Sequence, residues 1–160
     1  MTIFGVGCAG NRILNILGTG VAINTDKREL GRCVAGKKLL LNRERRWRGP
    51  LLEDVECEGP VVILAGLGGG TGTIAVPEVA RIAREKGCHV TVIVTLPFYF
   101  EGPYRKRIAA QAVKRIQADR LITIPLPDPP LLTRIRDVWA MGIRAGVAAF
   151  ETEMAGVAAG

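Results

Sequence analysis

The chain has 160 residues, 48% hydrophobic and 23% charged, with 22 Lys plus Arg against 15 Asp plus Glu and a net charge of +7. That length holds one domain, the apolar fraction excludes overall disorder, and the longest apolar stretches, 61–70 and 90–96, fall short of the ~20 residues a membrane-spanning helix needs. The positive charge favours a polyanionic partner (nucleic acid, acidic lipid or nucleotide phosphate) without choosing among them, and the start, Met1-Thr2-Ile3-Phe4, has no signal-peptide pattern, so a cytoplasmic location is expected.

The pattern predicts a short strand at 3–4, a glycine loop Gly5-Val6-Gly7-Cys8-Ala9-Gly10, and a helix over 11–17 with Ile13, Leu14, Ile16 and Leu17 at helical spacing. A second strand follows at 21–23, closed by Asn24-Thr25-Asp26. Between 27 and 48 the composition turns basic: Lys27, Arg28, Arg32, Lys37, Lys38, Arg43, Arg45, Arg46 and Arg48 face only Glu29 and Glu44. This stretch is expected to be irregular in part, with a short strand at 39–41. Residues 61–65 form a continuous β-branched run, the signature of a buried parallel strand. It feeds Gly68-Gly69-Gly70-Thr71-Gly72-Thr73, and a helix is expected from 73 to 86 with Gly87 as its stop. A buried strand at 90–95, a loop at 97–103, a helix at 104–117 and a strand at 121–124 come next. After a proline-rich connector, a long helix carries Leu132, Ile135, Val138, Trp139, Ile143, Val147, Phe150 and Met154 near one stripe, and its end frays after Met154. Strands alternate with helices, so the expected fold is α/β: a Rossmann-like, mostly parallel sheet with helices on both faces and ligands at the carboxyl ends of the strands. Four cysteines at 8, 33, 57 and 88 form no CxxC pair, and His89 is the one histidine. Free thiols and no structural metal are expected.

Three segments have the look of phosphate loops. Gly5-x-Gly7-x-x-Gly10, with Asp26 ending the second strand, fits a dinucleotide fingerprint; a bare strand-to-helix turn is its alternative. Gly31-x-x-x-x-Gly36-Lys37-Lys38 nearly fits a P-loop, but Lys38 stands where Ser or Thr should hold Mg²⁺ and no buried strand precedes it, so it reads as coincidence. The third, Gly68–Thr73, is the strong one. Successive glycines leave bare N–H groups to wrap an anion, and Thr71 and Thr73 add hydroxyls. A flexible glycine hinge accounts for the glycines but not for the threonines.

On these residues the chain resembles the FtsZ/tubulin GTPases. Gly5-Val6-Gly7-Cys8-Ala9-Gly10-Asn11 is similar to the family's first phosphate loop, Ala22-Ile23-Asn24-Thr25-Asp26 to its second-strand motif, Gly68–Thr73 to its glycine-threonine signature, Pro97–Gly102 with Arg105 to its ribose loop, and Leu121-Ile122-Thr123-Ile124-Pro125 to the strand before its central helix. The resemblance implies a single nucleotide-binding domain over 1–160 that ends after the central helix and lacks the family's activation domain. It implies phosphate contacts at Gly7, Ala9, Gly10, Asn11, Gly68, Gly69, Gly70, Thr71, Gly72 and Thr73, ribose and nearby phosphate contacts at Glu101 and Arg105, and base stacking on Trp139, for which packing in the core is the alternative. The implied ligands are GTP and GDP, with Mg²⁺ accompanying the nucleotide. The implied partners are a full-length FtsZ-type protein, whose filament this chain would modulate or cap, or another copy of itself.

This sequence also departs from the family's pattern. Cys8 and Ile74 replace glycines, and the bulk of Ile74 is expected to crowd the phosphates. Arg12 and Arg144 replace the base-reading Asn and Asp, and the basic run 43–48 replaces the family's glycine-rich γ-phosphate loop. No catalytic residue and no acidic catalytic loop is found, so weak or absent GTP hydrolysis alone is expected. The competing readings are an NAD(P)-binding Rossmann protein and a non-nucleotide module that uses the basic surface on nucleic acid or acidic lipid.

Overall fold

The structure, a computed structural model, describes residues 1–41, 55–130 and 133–158. The arginines of the basic run 43–48 and Leu132 lie outside the described residues. Among the described residues, six strands and five helices follow in chain order: β1 (Thr2–Val6), α1 (Gly7–Leu17), β2 (Val21–Asn24), α2 (Lys27–Arg32), β3 (Lys37–Leu40), β4 (Val61–Gly66), α3 (Gly70–Glu85), β5 (Val90–Thr95), α4 (Pro103–Arg115), β6 (Arg120–Ile124) and α5 (Ile135–Ala158). One 3₁₀ turn, Tyr99–Glu101, precedes α4.

All five strand pairs are parallel, in the order β3-β2-β1-β4-β5-β6. This is the doubly wound order, in which the direction of winding reverses between the first strand and its neighbour. Here that switch lies between β1 and β4, joined with Phe4 opposite Ile63 and Val6 opposite Ala65. Alternation along β4 explains why both faces must be covered. Val61, Ile63 and Ala65 pack on Val76, Val79, Ala80 and Ala83 of α3 and Ala109 and Ala112 of α4. Val62 and Leu64 point the other way, to Ile13 and Leu14 of α1, Leu30 of α2, and Val147 and Phe150 of α5. Such fully buried strands read as unbroken apolar runs.

The described part of the basic stretch, 27–41, is more ordered than its composition suggests. Asp26 caps α2, its Oδ1 accepting the N–H groups of Arg28 at 2.8 Å and Glu29 at 3.2 Å, and β3 then pairs with β2. Charge density hid a capped helix whose one buried side chain is Leu30. The near P-loop dissolves as well: Gly31 lies inside α2, and Lys37 and Lys38 open β3 rather than a helix. Two helices begin earlier than their glycines imply. α1 starts at Gly7 and α3 at Gly70, because glycine's low helix propensity masks a first turn that lies against the strand ends. α5 runs to Ala158, past the expected fraying point. On its stripe Val138, Val147 and Phe150 are buried, whereas Ile135 is exposed.

At the other end of the sheet, Asp119 ties β6 to β5. Its Oδ2 accepts the Val90 N–H at 2.7 Å, and that bond, with the Arg84 guanidinium nearby, holds its carboxyl below the usual carboxylate range. A depressed folded pKa gives a contribution that is present above the unfolded value and is lost as pH falls through the folded one. The stability difference between wild type and Asp119→Asn is therefore expected to be full at pH 7 and to shrink below about pH 4; urea titrations at both pH values measure it.

Candidate functional site

The carboxyl ends of β1, β2, β4 and β5 open into one cleft of about 320 Å³, within the usual range for a small-molecule site. Each strand delivers its last residues there: β1 leads to Gly7, Cys8 and Ala9, β2 ends on Asn24 and continues into Thr25 and Asp26, β4 ends on Gly66, and β5 ends on Thr95. α3 brings Gly70, Thr71 and Gly72, preceded by Gly69, and α5 brings Trp139, Gly142 and Ile143.

The floor of the cleft is a continuous polar chain. Asn11 Nδ2 donates to Gly5 O at 2.7 Å, Asn24 Nδ2 donates to Asn11 Oδ1 at 2.8 Å, Thr71 Oγ1 donates to Asn24 Oδ1 at 3.4 Å, and the Thr25 and Thr71 hydroxyls share a hydrogen bond of 2.6 Å. This chain links β1, α1, β2 and α3, so the two glycine segments keep a fixed separation. That separation is small. A Cβ on Gly72 would meet Gly66 O at 2.4 Å, and Gly7, at φ +72°, lies with its Cβ direction 3.1 Å from Gly72 N. Glycine at 7 and 72 is therefore dictated by close approach. By contrast nothing lies within 4 Å of a Cβ on Gly69 or Gly70. That side of the helix start is open space, with the first N–H groups of α3 and the positive end of its dipole behind it.

Two ion pairs border the opening. Glu101 is nearly buried: its Oε1 accepts the Phe98 N–H at 2.9 Å and its Oε2 accepts Arg105 Nη1 at 2.7 Å. Arg12, on α1, reaches Glu29 on α2 at 3.7 Å. The cleft thus pairs a helix N-terminus and two guanidinium groups with an apolar wall of Leu126, Trp139 and Ile143. Chemically it suits a ligand with an anionic end and a flat apolar end.

A family model described as the GTPase domain of the tubulin/FtsZ family matches residues 33–128. The chain belongs to the tubulin/FtsZ family. The cell division protein FtsZ 1 of Pyrococcus furiosus is 35% identical over 150 residues, covering 77% of this chain and 40% of the relative. The FtsZ of Bartonella bacilliformis is 37% identical over 152 residues, covering 78% of this chain and 26% of its own length. Among solved structures, an empty FtsZ dimer from M. jannaschii superposes with a TM-score of 0.83 at 29% identity, covering 93% of this chain and 52% of that one. The chain spans about two fifths of the P. furiosus relative. The fold is that of the FtsZ/tubulin GTPase domain.

Of the site residues that the FtsZ/tubulin resemblance implied, Gly7, Ala9, Gly69, Gly70, Thr71, Gly72, Glu101, Arg105 and Trp139 line the one cleft. Gly10, Asn11, Gly68 and Thr73 sit behind it. Gly10 lies against Leu64 O, Asn11 belongs to the polar floor, and Gly68, at φ +91°, turns the chain so that its N–H donates to Thr73 Oγ1 at 2.9 Å. Trp139 is not a core aromatic: it is 44% exposed and faces the cleft. Ile74 is 39% exposed and is not among the residues that line the cleft. Arg12 and Leu126 line the cleft, whereas Arg144 does not; at its place along α5 the lining residues are Gly142 and Ile143. Asn24 and Thr25 belong to the second-strand motif but are not among the contacts the resemblance implies, and Thr95 carries no sequence motif; all three line the cleft. The signal was available, since each sits at the carboxyl end of a predicted strand, where doubly wound sheets hold their ligands.

The tubulin/FtsZ family binds GTP or GDP, generally with Mg²⁺. The residues present fit a nucleotide through the open helix start at Gly69 and Gly70 and the apolar wall. Among the described residues no three His, Cys, Asp or Glu side chains converge. No helix among the described residues is long and apolar enough to cross a membrane.

Proposed function

We propose that the cleft binds a purine nucleoside di- or triphosphate, GTP or GDP, in a single nucleotide-binding domain. The supporting observation is the open start of α3. A helix of 16 residues points its N-terminus into the cleft behind Gly69 and Gly70, with the Thr71 hydroxyl beside them. Unsatisfied N–H groups and the helix dipole both favour a phosphate there. The sugar lies toward Glu101 and Arg105; each Glu101 oxygen keeps a lone pair for a ribose hydroxyl while Arg105 holds the carboxylate in place. The base rests on Trp139, with Mg²⁺ carried by the phosphates.

In this reading hydrolysis by the chain alone is weak or absent. Among the described residues the cleft is lined by two carboxylates, Asp26 and Glu101, and both are engaged, one as the cap of α2 and one with Arg105. Neither is placed as a base for an attacking water. The partner proposed for the nucleotide face is an FtsZ-type subunit, full-length or another copy of this chain, whose cytoplasmic filament the protein modulates or caps. Adding this protein at substoichiometric levels is then expected to lower the light scattering of such filaments.

The direct test is thermal unfolding with Mg²⁺ and GTP, GDP, ATP or NAD. Ligand at about 100 times its dissociation constant adds ~2.7 kcal/mol, which in a domain of this size raises Tm by roughly 5–10 °C. A rise with GTP and GDP is expected. A rise with NAD alone would transfer the cleft to the dinucleotide reading, and no rise with any of the four would sink both.

Trp139→Ala is expected to weaken GDP binding by about two- to tenfold, in keeping with the ~0.5–1.5 kcal/mol of an aromatic stacking contact. The half-exposed side chain should leave Tm nearly unchanged. Calorimetric titration of wild type and variant gives the ratio.

A further inference from the structure

Two of the four cysteines meet at the end of the sheet opposite the cleft. Cys57 lies on the irregular segment that leads into β4, and Cys88 lies in the turn between α3 and β5. The Cys88 thiol donates to Cys57 Sγ at 3.3 Å and also lies 3.7 Å from Cys57 O. Both are free thiols. The other two are isolated from this pair and from each other in role: Cys8 is exposed in the cleft lining, and Cys33 is buried with its thiol on Asn11 O at 3.4 Å. Nothing in nucleotide binding uses Cys57 or Cys88.

We propose that Cys57 and Cys88 are a dithiol modification site, oxidised to an intramolecular disulfide by low-molecular-weight disulfides. The geometry requires little movement. A disulfide bond is about 2.05 Å long, so the sulfur atoms must close by about 1.2 Å from their present 3.3 Å. Cys57 is on backbone outside any helix or strand and can yield, while Cys88 is anchored by its N–H on Ala83 O at 3.1 Å. Cys57 is half-buried and Cys88 buried, so the reagent reaches Cys57 first.

The steps balance as follows. Cys57 loses its proton, and its thiolate attacks one sulfur of R–S–S–R, forming a mixed disulfide and expelling RS⁻. Cys88 then loses its proton and attacks Sγ of Cys57, forming the Cys57–Cys88 bond and expelling the second RS⁻. Two protein thiols are oxidised by two electrons, and one R–S–S–R becomes two RSH after protonation. Burial, then the hydrogen bond with Cys88, pushes the Cys57 thiol up to about 11. At neutral pH the thiolate fraction is therefore small and the first step is slow. The pair answers to sustained oxidation rather than to a transient pulse.

The bond would tie the lead-in of β4 to the α3–β5 turn. It closes a loop through β4 and α3, and loss of freedom in the unfolded chain raises stability. The test treats the 160-residue chain with oxidised glutathione, blocks remaining thiols in acid, and maps peptides by mass spectrometry. The expected result is a Cys57–Cys88 cross-linked peptide, a loss of two hydrogens, and a Tm raised by roughly 5 °C or more. Cys57→Ser should show neither the cross-link nor the rise. In Cys88→Ser, glutathione should stay on Cys57 as a mixed disulfide. Unreacted Cys57 and Cys88 thiols after prolonged treatment, a stable glutathione adduct at Cys57 in the wild type, or a Tm rise that persists in Cys57→Ser would each overturn the proposal.

Discussion

Gly10→Ala is expected to destabilise the protein by about 3 kcal/mol, toward the upper end of the usual cost of overpacking. The cause is where α1 crosses the sheet. A Cβ on Gly10 would lie 2.3 Å from Leu64 O and 2.8 Å from the carbonyl carbon of Gly5. Both are backbone atoms of buried strands, so no side-chain rotation relieves the clash. α1 would have to retreat from β4 by about 1 Å to reach ordinary contact. Ile13 and Leu14, almost fully buried on the same helix, would lose packing along its length, because interiors this dense do not absorb such shifts locally. In a chain of this size the change lowers Tm by roughly 6–12 °C. The control is another helical glycine. Nothing lies within 4 Å of a Cβ on Gly31, and Gly31 sits inside α2. Gly31→Ala should therefore stabilise by about 0.5–1 kcal/mol, since alanine loses less chain freedom on folding. Opposite signs at two helical glycines, read by calorimetry, separate close approach from helix propensity. A Tm for Gly10→Ala within 2 °C of wild type, a margin well inside the shift expected from the size scaling, would mean that α1 does not sit where the structure puts it.

The same contrast explains what was legible in the sequence. β4 and β5 were readable because burial on both faces demands unbroken runs, and 61–65 and 90–95 supply them. The alternation of strands and helices gave the doubly wound class. The glycine segments announced a site, but not which glycines face it. Gly10 and Gly68 sit behind the cleft and Gly69 and Gly70 border it, and only the packing of α1 on β4 and the turn at Gly68 separate them. α2 is not legible in the sequence because it is six residues long with one buried side chain, leaving almost no periodicity to detect; its clearest mark, the Asp26 cap, reads equally as the end of a strand. Trp139 could not be assigned from spacing, since a core stripe and a cleft wall use the same face of α5. Arg144 was placed at the base end by resemblance, yet helical geometry turns Gly142 and Ile143 to the cleft instead.

Gly70→Asp is expected to weaken GDP binding by at least 100-fold while slightly raising the stability of the free protein. The two effects have opposite signs because one charge acts on two states. Gly70 is the first residue of α3, and nothing lies within 4 Å of its added Cβ, so the side chain fits without displacing the backbone. In the free protein a carboxylate at a helix N-terminus is favourable by about 0.3–1 kcal/mol. In the complex it stands where the phosphates are proposed to sit. Two unit charges 5 Å apart at an effective dielectric of 20 repel by about 3 kcal/mol, which is over two powers of ten in affinity before the second phosphate charge is counted. Gly70→Asn is the matched control: nearly the same shape, no charge. It should lose far less, and the gap between the two variants should narrow as salt rises and the Debye length falls below about 10 Å. Isothermal titration with GDP and Mg²⁺ measures the affinities, and a melting curve without nucleotide measures the stability. Equal affinity in Gly70→Asp and Gly70→Asn would place the phosphates away from α3. A fall in affinity accompanied by a fall in apo stability would point to a disturbed helix start instead. With apo stability preserved and affinity lost, the start of α3 is the phosphate site, and the positive end of that helix is what holds the ligand.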